Sequence, residues 1–276
     1  MKSPRRPASG RKNDQYSSER KPPRTIETAK PGEKSGLFYL YGRKPILEAL
    51  RLDLVHSLEI SRRAHGQTVQ LIERQAEQRR VPIERVEALP GEDGIPIQGV
   101  RALAKPPRLH HDLRRFVEQL PESPTPFLLM LDGITDPHNF GAILRTAEAS
   151  AVSAVIVRER RQAPVSEVVV KTSAGGAYLV PIFEVVNLSQ TLRWLAEDGF
   201  WTVVAAMDNS VQHSDYHWNG KTVLVLGAEG MGVSDLVRKS ADVCVNIPMH
   251  GQIESLNVSV AAGILLFEAA KRRGLA

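Results

Sequence analysis

Residues 222–234 read Thr222-Val223-Leu224-Val225-Leu226-Gly227-Ala228-Glu229-Gly230-Met231-Gly232-Val233-Ser234, an apolar run that ends in a glycine-rich turn. The run lacks polar alternation, so it predicts a strand over 222–227 buried on both faces, as in a parallel sheet. Glycines at 227, 230 and 232 let the backbone turn sharply and approach a ligand closely. Their Gly-x-x-Gly-x-Gly spacing is not the Gly-x-Gly-x-x-Gly of dinucleotide-binding folds, which disfavours a standard nicotinamide site.

Working outward, similar runs predict strands at Phe127–Asp132, Ala154–Val157, Val180–Phe183, Trp201–Met207 and Asp242–Pro248. Helical patterns lie between or after them: Asn139–Ser150, Val165–Ala174, Leu188–Glu197, Val233–Lys239 and Leu256–Arg273. This alternation is that of a doubly wound α/β domain, in which ligands lie at the carboxyl ends of the strands.

Two more strand-to-loop junctions carry polar groups. After Asp132 come Asp136-Pro137, a turn starter, and then Asn139, Gly141 and Arg145. In an ideal helix Arg145 would face away from Asn139, unless the helix starts after Asn139. After Pro248 come His250, Ser255, Leu256 and Asn257. Ser255 is a plausible N-cap for the last helix, which leaves unexplained why polar Asn257 opens a helix whose next residues are core. Glu229 stands in the glycine-rich turn, where a carboxylate can pair with an arginine or accept from a ribose.

The first half reads as a smaller α/β unit over residues 36–105, with strands at Leu37–Tyr41, Val55–Ile60, Val81–Val86 and Val100–Ala104. Its helices are Pro45–Leu52 and Gln67–Arg79, the latter with Val69, Leu71, Ile72 and Ala76 inward. A Gly/Pro-rich stretch covers 89–99, and residues 106–125 read as a linker to a domain at 126–276. Adjacent His110 and His111 cannot both face one helix side, so no metal site is expected there.

The 276 residues are 42% hydrophobic and 24% charged, enough to bury a sizeable core. No apolar run reaches the ~18–20 residues of a membrane span. A single cysteine, Cys244, excludes an internal disulfide framework and a Cys-based zinc cluster. The basic N-terminus lacks an apolar leader segment, so a cytoplasmic location is expected. Of the net charge of +5, residues 1–35 carry +6 with five prolines, and the remainder is −1. Such a tail is expected to be disordered in isolation and to touch RNA phosphates through counterion release.

Taken together, Asn139-x-Gly141-x-x-x-Arg145, then Gly227-Ala228-Glu229-Gly230-x-Gly232, then Ile247-Pro248-Met249 with Ser255-Leu256-Asn257-Val258-Ser259 resemble three motifs of one family. That family is the SpoU (TrmH-like) branch of the SPOUT RNA 2′-O-ribose methyltransferases. The match runs from about residue 126 to 273, in the same order and rough spacing. Tyr41-Gly42-Arg43-Lys44-Pro45 and Thr135-Asp136-Pro137-His138-Asn139 are most similar to the RlmB-type subgroup, which methylates a guanosine ribose of large-subunit (23S) rRNA. Two departures stand out: Ala151 where relatives often have glycine, and His250-Gly251-Gln252-Ile253 in place of small residues.

The resemblance implies a C-terminal α/β-knot domain with a deep trefoil knot, preceded by a small ribosomal-protein-like domain that binds RNA substrate. It implies S-adenosyl-L-methionine as cofactor, held by Gly227, Ile247 and Leu256, and no metal. It implies Asn139 and Arg145 as a catalytic pair with Glu229, Ser255 and Asn257 around them, in a homodimer with no membrane association. A guanidinium with pKa above ~12 is a strained general base, so Arg145 is expected to organise charge at the ribose and phosphate instead. Alternatives left open are a tRNA guanosine 2′-O-methyltransferase and a non-catalytic rRNA assembly factor of the same fold.

Overall fold

The structure, a computed structural model, describes residues 36–89 and 98–275. The basic tail, residues 1–35, and positions 90–97 of the Gly/Pro-rich stretch lie outside the described residues.

The first half forms β1 (Phe38–Tyr41), α1 (Arg43–Arg51), β2 (Val55–Ser61), α2 (Gln67–Gln78), β3 (Ile83–Val86) and β4 (Val100–Ala104). They make a sheet of order β1-β4-β2-β3, in which only β2 and β3 run parallel. Leu58 and Ile60 of β2 alternate with exposed or half-buried neighbours, while α2 turns Val69, Ile72 and Ala76 inward. Leu71, expected to face the core, is 37% exposed. It lies one residue off the stripe set by 69, 72 and 76, and the 3.6-residue period carries it outward.

The second half begins in the stretch expected to be a linker. There β5 (Leu109–His110) joins a large sheet, and α3 (Leu113–Glu118) buries Leu113 and Val117. These elements are too short to show a period. Then follow β6 (Phe127–Asp132), α4 (Pro137–Ala149), β7 (Ala154–Arg158), α5 (Glu167–Thr172), α6 (Gly176–Leu179) and β8 (Ile182–Val185). The chain continues through α7 (Leu188–Glu197), β9 (Trp201–Ala205), β10 (Val211–Gln212), β11 (Thr222–Gly227), α8 (Asp235–Arg238), β12 (Val243–Asn246) and α9 (Val258–Arg272).

The order is β10-β12-β9-β11-β6-β7-β8-β5, with every neighbouring pair parallel. Side chains of successive residues enter opposite cores. Leu129 and Leu131 of β6 pack with α4, α5 and α9, whereas Leu128 and Met130 pack with α3, α7 and α8. Burying each such leucine contributes roughly 1.5–3 kcal/mol, which is why both faces are apolar throughout. The core of the smaller sheet is continuous with the first of these layers.

Two small residues set that junction. A Cβ on Gly175 would stand 2.9 Å from Glu48 Cγ of α1, and one on Gly176 would stand 3.3 Å from Arg145 Cα of α4. Nearby, the Tyr178 hydroxyl donates to the Lys105 carbonyl at 2.9 Å, just past β4. Burial raises the Tyr178 pKa well above that of an ordinary phenol, so it remains a neutral donor.

Candidate active site

The strands β6, β9, β11 and β12 are neighbours, and their carboxyl ends gather three loops distant in sequence. The loop after β6 starts α4, with Asp136 as N-cap accepting from the backbone N–H groups of His138 and Asn139. Pro137 occupies the first helical turn, where its missing N–H costs nothing. The helix therefore starts before Asn139 and fixes that residue in its first turn.

The start of α9 differs from expectation. Its N-cap is Asn257 and not Ser255: Asn257 Oδ1 accepts from Ser259 N at 2.9 Å and from Ser259 Oγ at 2.6 Å. This explains why a polar residue opens an apolar helix. It also leaves the Asn257 amide nitrogen free to point elsewhere. Asn257 Nδ2 donates to Asn139 Oδ1 at 3.0 Å, and Asn139 Nδ2 donates to Glu229 Oε2 at 3.4 Å. Asn139, Glu229 and Asn257 thus form one polar run across α4, the glycine-rich turn and α9, each amide oriented by the next.

Beside this run lies a cavity of about 890 Å³. Gly227, Glu229, Ile247, Ser255 and Leu256 line it, together with Leu226 and Val258. Asn139, Asn257 and Arg145 are not among its walls. Ala205, the last residue of β9, and Ala206, Met207 and Asp208 after it also line the cavity and were absent from the expected site. Their signal was positional: they leave a central strand at the same edge, and the one charged side chain among them, Asp208, pairs with Arg238 at 3.5 Å.

Gly227 does not serve as a simple gap for a ligand. A Cβ there would lie 2.0 Å from the Gly232 carbonyl carbon and 2.2 Å from Val233 N, so the close approach is to its own turn. Gly232 N donates to Ala228 O at 2.8 Å and closes that turn. Arg145 stands apart from Asn139, as six residues of helix require. It is exposed, and among the described residues it makes no hydrogen bond or ion pair. Among the described residues no group of acids, histidines and cysteine could hold a metal ion. No described helix is long and apolar enough to cross a membrane.

A model of the SpoU rRNA Methylase family matches residues 126–267, the span that holds this polar run and cavity. The chain belongs to that family. Among curated SpoU-type relatives, the 23S rRNA (guanosine-2′-O-)-methyltransferase RlmB of Escherichia coli K12 is 40% identical over 241 residues, covering 86% of this chain and 90% of the relative. A crystal structure described as an RNA 2′-O ribose methyltransferase superposes with a TM-score of 0.72 at 26% identity, over 87% of this chain and 90% of its own. The SpoU methyltransferase AviRb from Streptomyces viridochromogenes, in complex with AdoMet, gives 0.69 at 25% identity over 87% and 92%.

Proposed function

We infer that this SpoU-family chain is an S-adenosylmethionine-dependent RNA 2′-O-methyltransferase acting on a guanosine of 23S rRNA. The observation that carries the reading is the Asn139–Glu229–Asn257 run beside a large cavity, in a chain 40% identical to the Escherichia coli enzyme.

The cavity fits the cofactor. Leu226, Ile247 and Leu256 offer apolar walls to an adenine, the glycine-rich turn offers backbone groups at close range, and about 890 Å³ admits a small molecule. When bound, S-adenosylmethionine supplies a methyl group already activated on a sulfonium. The protein is left with two tasks: aligning a ribose hydroxyl and stabilising it as its proton leaves. Asn139, held at both ends of its amide, and Ser255 on the cavity wall orient the ribose. Glu229 keeps a second carboxylate oxygen for a ribose hydroxyl. Arg145, with no partner among the described residues, clamps the target phosphate, and a phosphate oxygen takes the proton.

The reading extends to the domains and the assembly. Residues 36–105 serve as the RNA-binding module, and the knotted methyltransferase domain at 126–276 also takes in β5 and α3 from the stretch 106–125. The knot is read from membership of the SpoU family. A homodimer forms through α9, whose Val260 and Phe267 are each 50% exposed on one helical face. We read the protein as cytoplasmic because an rRNA substrate is met there, and the basic tail 1–35 adds non-specific affinity for RNA. The test is mapping of 2′-O-methyl groups in rRNA and tRNA from cells with and without the gene. Loss of a single 23S guanosine methyl is expected, and loss only in tRNA would redirect the reading.

A further inference from the structure

The carboxyl end of β7 runs into Arg158-Glu159-Arg160-Arg161-Gln162, a turn beside the loop that carries Asn139. Several bonds tie the two together. Arg158 Nη2 donates to Asp132 Oδ1 at 3.2 Å, on a residue only 7% exposed. The Ile134 N–H donates to Gln162 Oε1 at 3.1 Å, and the Ala163 N–H donates to the Ile134 carbonyl at 2.8 Å. On the opposite side the Glu159 N–H donates to the Val185 carbonyl at 3.0 Å. The turn cannot shift without moving the loop before α4.

Within this bracing Arg161 has φ +63°, a left-handed conformation unfavourable to a side chain. The bonds on either side hold it there. Arg160 and Arg161 are exposed, and among the described residues neither makes a hydrogen bond, ion pair or ring contact. Arg158 is occupied by Asp132, and Glu159 is the one acid of the turn. The backbone that carries these two guanidinium groups is therefore held at a fixed offset from Asn139, and among the described residues the groups have nothing to bind.

We propose that Arg160 and Arg161 grip the sugar-phosphate backbone of the substrate RNA where it flanks the target ribose. The planar fork of a guanidinium matches two phosphate oxygens at once. A braced turn gives that grip a defined distance from the reacting hydroxyl, so it aligns the strand as well as attracting it. This surface is separate from the cofactor cavity, whose walls include no residue of the turn. The proposal rests on the RNA methyltransferase reading and adds where the strand lies.

The test uses the full chain and a double variant, Arg160→Ala with Arg161→Gly, since glycine suits the positive φ and spares the fold. Binding to a 23S rRNA fragment is measured over a salt series, together with S-adenosylmethionine binding. The variant should bind RNA tenfold or more weakly, and its slope of log K against log salt should be shallower by about 1.4, two lost phosphate contacts on a single strand. Cofactor affinity should match the parent. A parent that methylates the fragment beside a variant of unchanged affinity and slope overturns this inference alone. A parent that binds no RNA overturns it together with the proposed function.

Discussion

The carboxylate of Asp132, at the end of β6, accepts the backbone N–H of Ser234 at 2.9 Å across 102 positions of sequence. Its other oxygen takes Arg158, so one buried acid holds the glycine-rich turn and the β7 turn against the same strand end. Ser234 has φ −59° and ψ 145°, values a proline adopts without strain. Ser234→Pro therefore fits the local backbone, removes the donor and sets its ring against the Asp132 carboxylate. It should weaken S-adenosylmethionine binding about tenfold, the scale of a hydrogen bond to a charged acceptor. Ser234→Ala keeps the N–H and should bind as the parent does. Calorimetric titration of both variants checks the pair, and equal affinities would remove the turn from the cofactor site.

Asn257 caps α9 with its oxygen and orients Asn139 with its nitrogen. Asn257→Asp keeps the cap and loses the donor, whereas Asn257→Ala loses both. Asp is expected to leave thermal stability near the parent's while methyl transfer falls by ten- to a hundredfold. Ala should lose activity and also about 1 kcal/mol of stability. Denaturation curves set beside initial rates separate the two roles.

Arg145→Ala should abolish methyl transfer and leave cofactor affinity within a few-fold, because Arg145 is not part of the cavity wall. Arg145→Lys should recover little, since an ammonium lacks the bidentate fork. Cofactor binding lost together with activity would reassign Arg145 to the cofactor.

Ala151 follows the C-cap of α4 and has φ +56°. A helix commonly ends with glycine in this left-handed position, the residue that the family resemblance leads one to expect there. Ala151→Gly should raise stability by roughly 0.5–1 kcal/mol, the left-handed penalty net of glycine's added entropy, and leave activity unchanged. A lower melting temperature would contradict the backbone argument.

Val260 and Phe267 on α9 are half-exposed, and a Cβ on Gly263 between them would meet nothing within 4 Å. Val260→Glu with Phe267→Glu should convert a dimer into a monomer of 30.5 kDa at micromolar concentration, as read by light scattering. A parent that is already monomeric would refute the assembly.

The large sheet was legible because its strands are uninterrupted apolar runs, and two-sided burial leaves no other reading for Phe127–Asp132 or Thr222–Gly227. Boundaries failed where a neighbour decided them. Val180 reads as the start of a strand but ends α6, and β8 begins only at Ile182. The residues of the polar run were visible one by one as polar groups at strand ends, yet their partners were not. Nothing local distinguishes Ser255 from Asn257 as a cap; the contact with Asn139, made only in the folded chain, does. Likewise the tight neighbour of Gly227 is Gly232, five residues away, and spacing alone could not choose between a ligand and the chain itself.

The polar run also sets an order on how the molecule comes into being. The smaller sheet is complete by Ala104, and β6 and α4 follow it, but Asn139 receives the second of its two partners only once Asn257 has been made. A chain growing from its N-terminus therefore gains the half proposed to bind RNA first and a reactive centre last. A product cut short before α9 keeps the former without the latter, and would occupy RNA without modifying it. Competence to methylate is thus a property that only the finished polypeptide has.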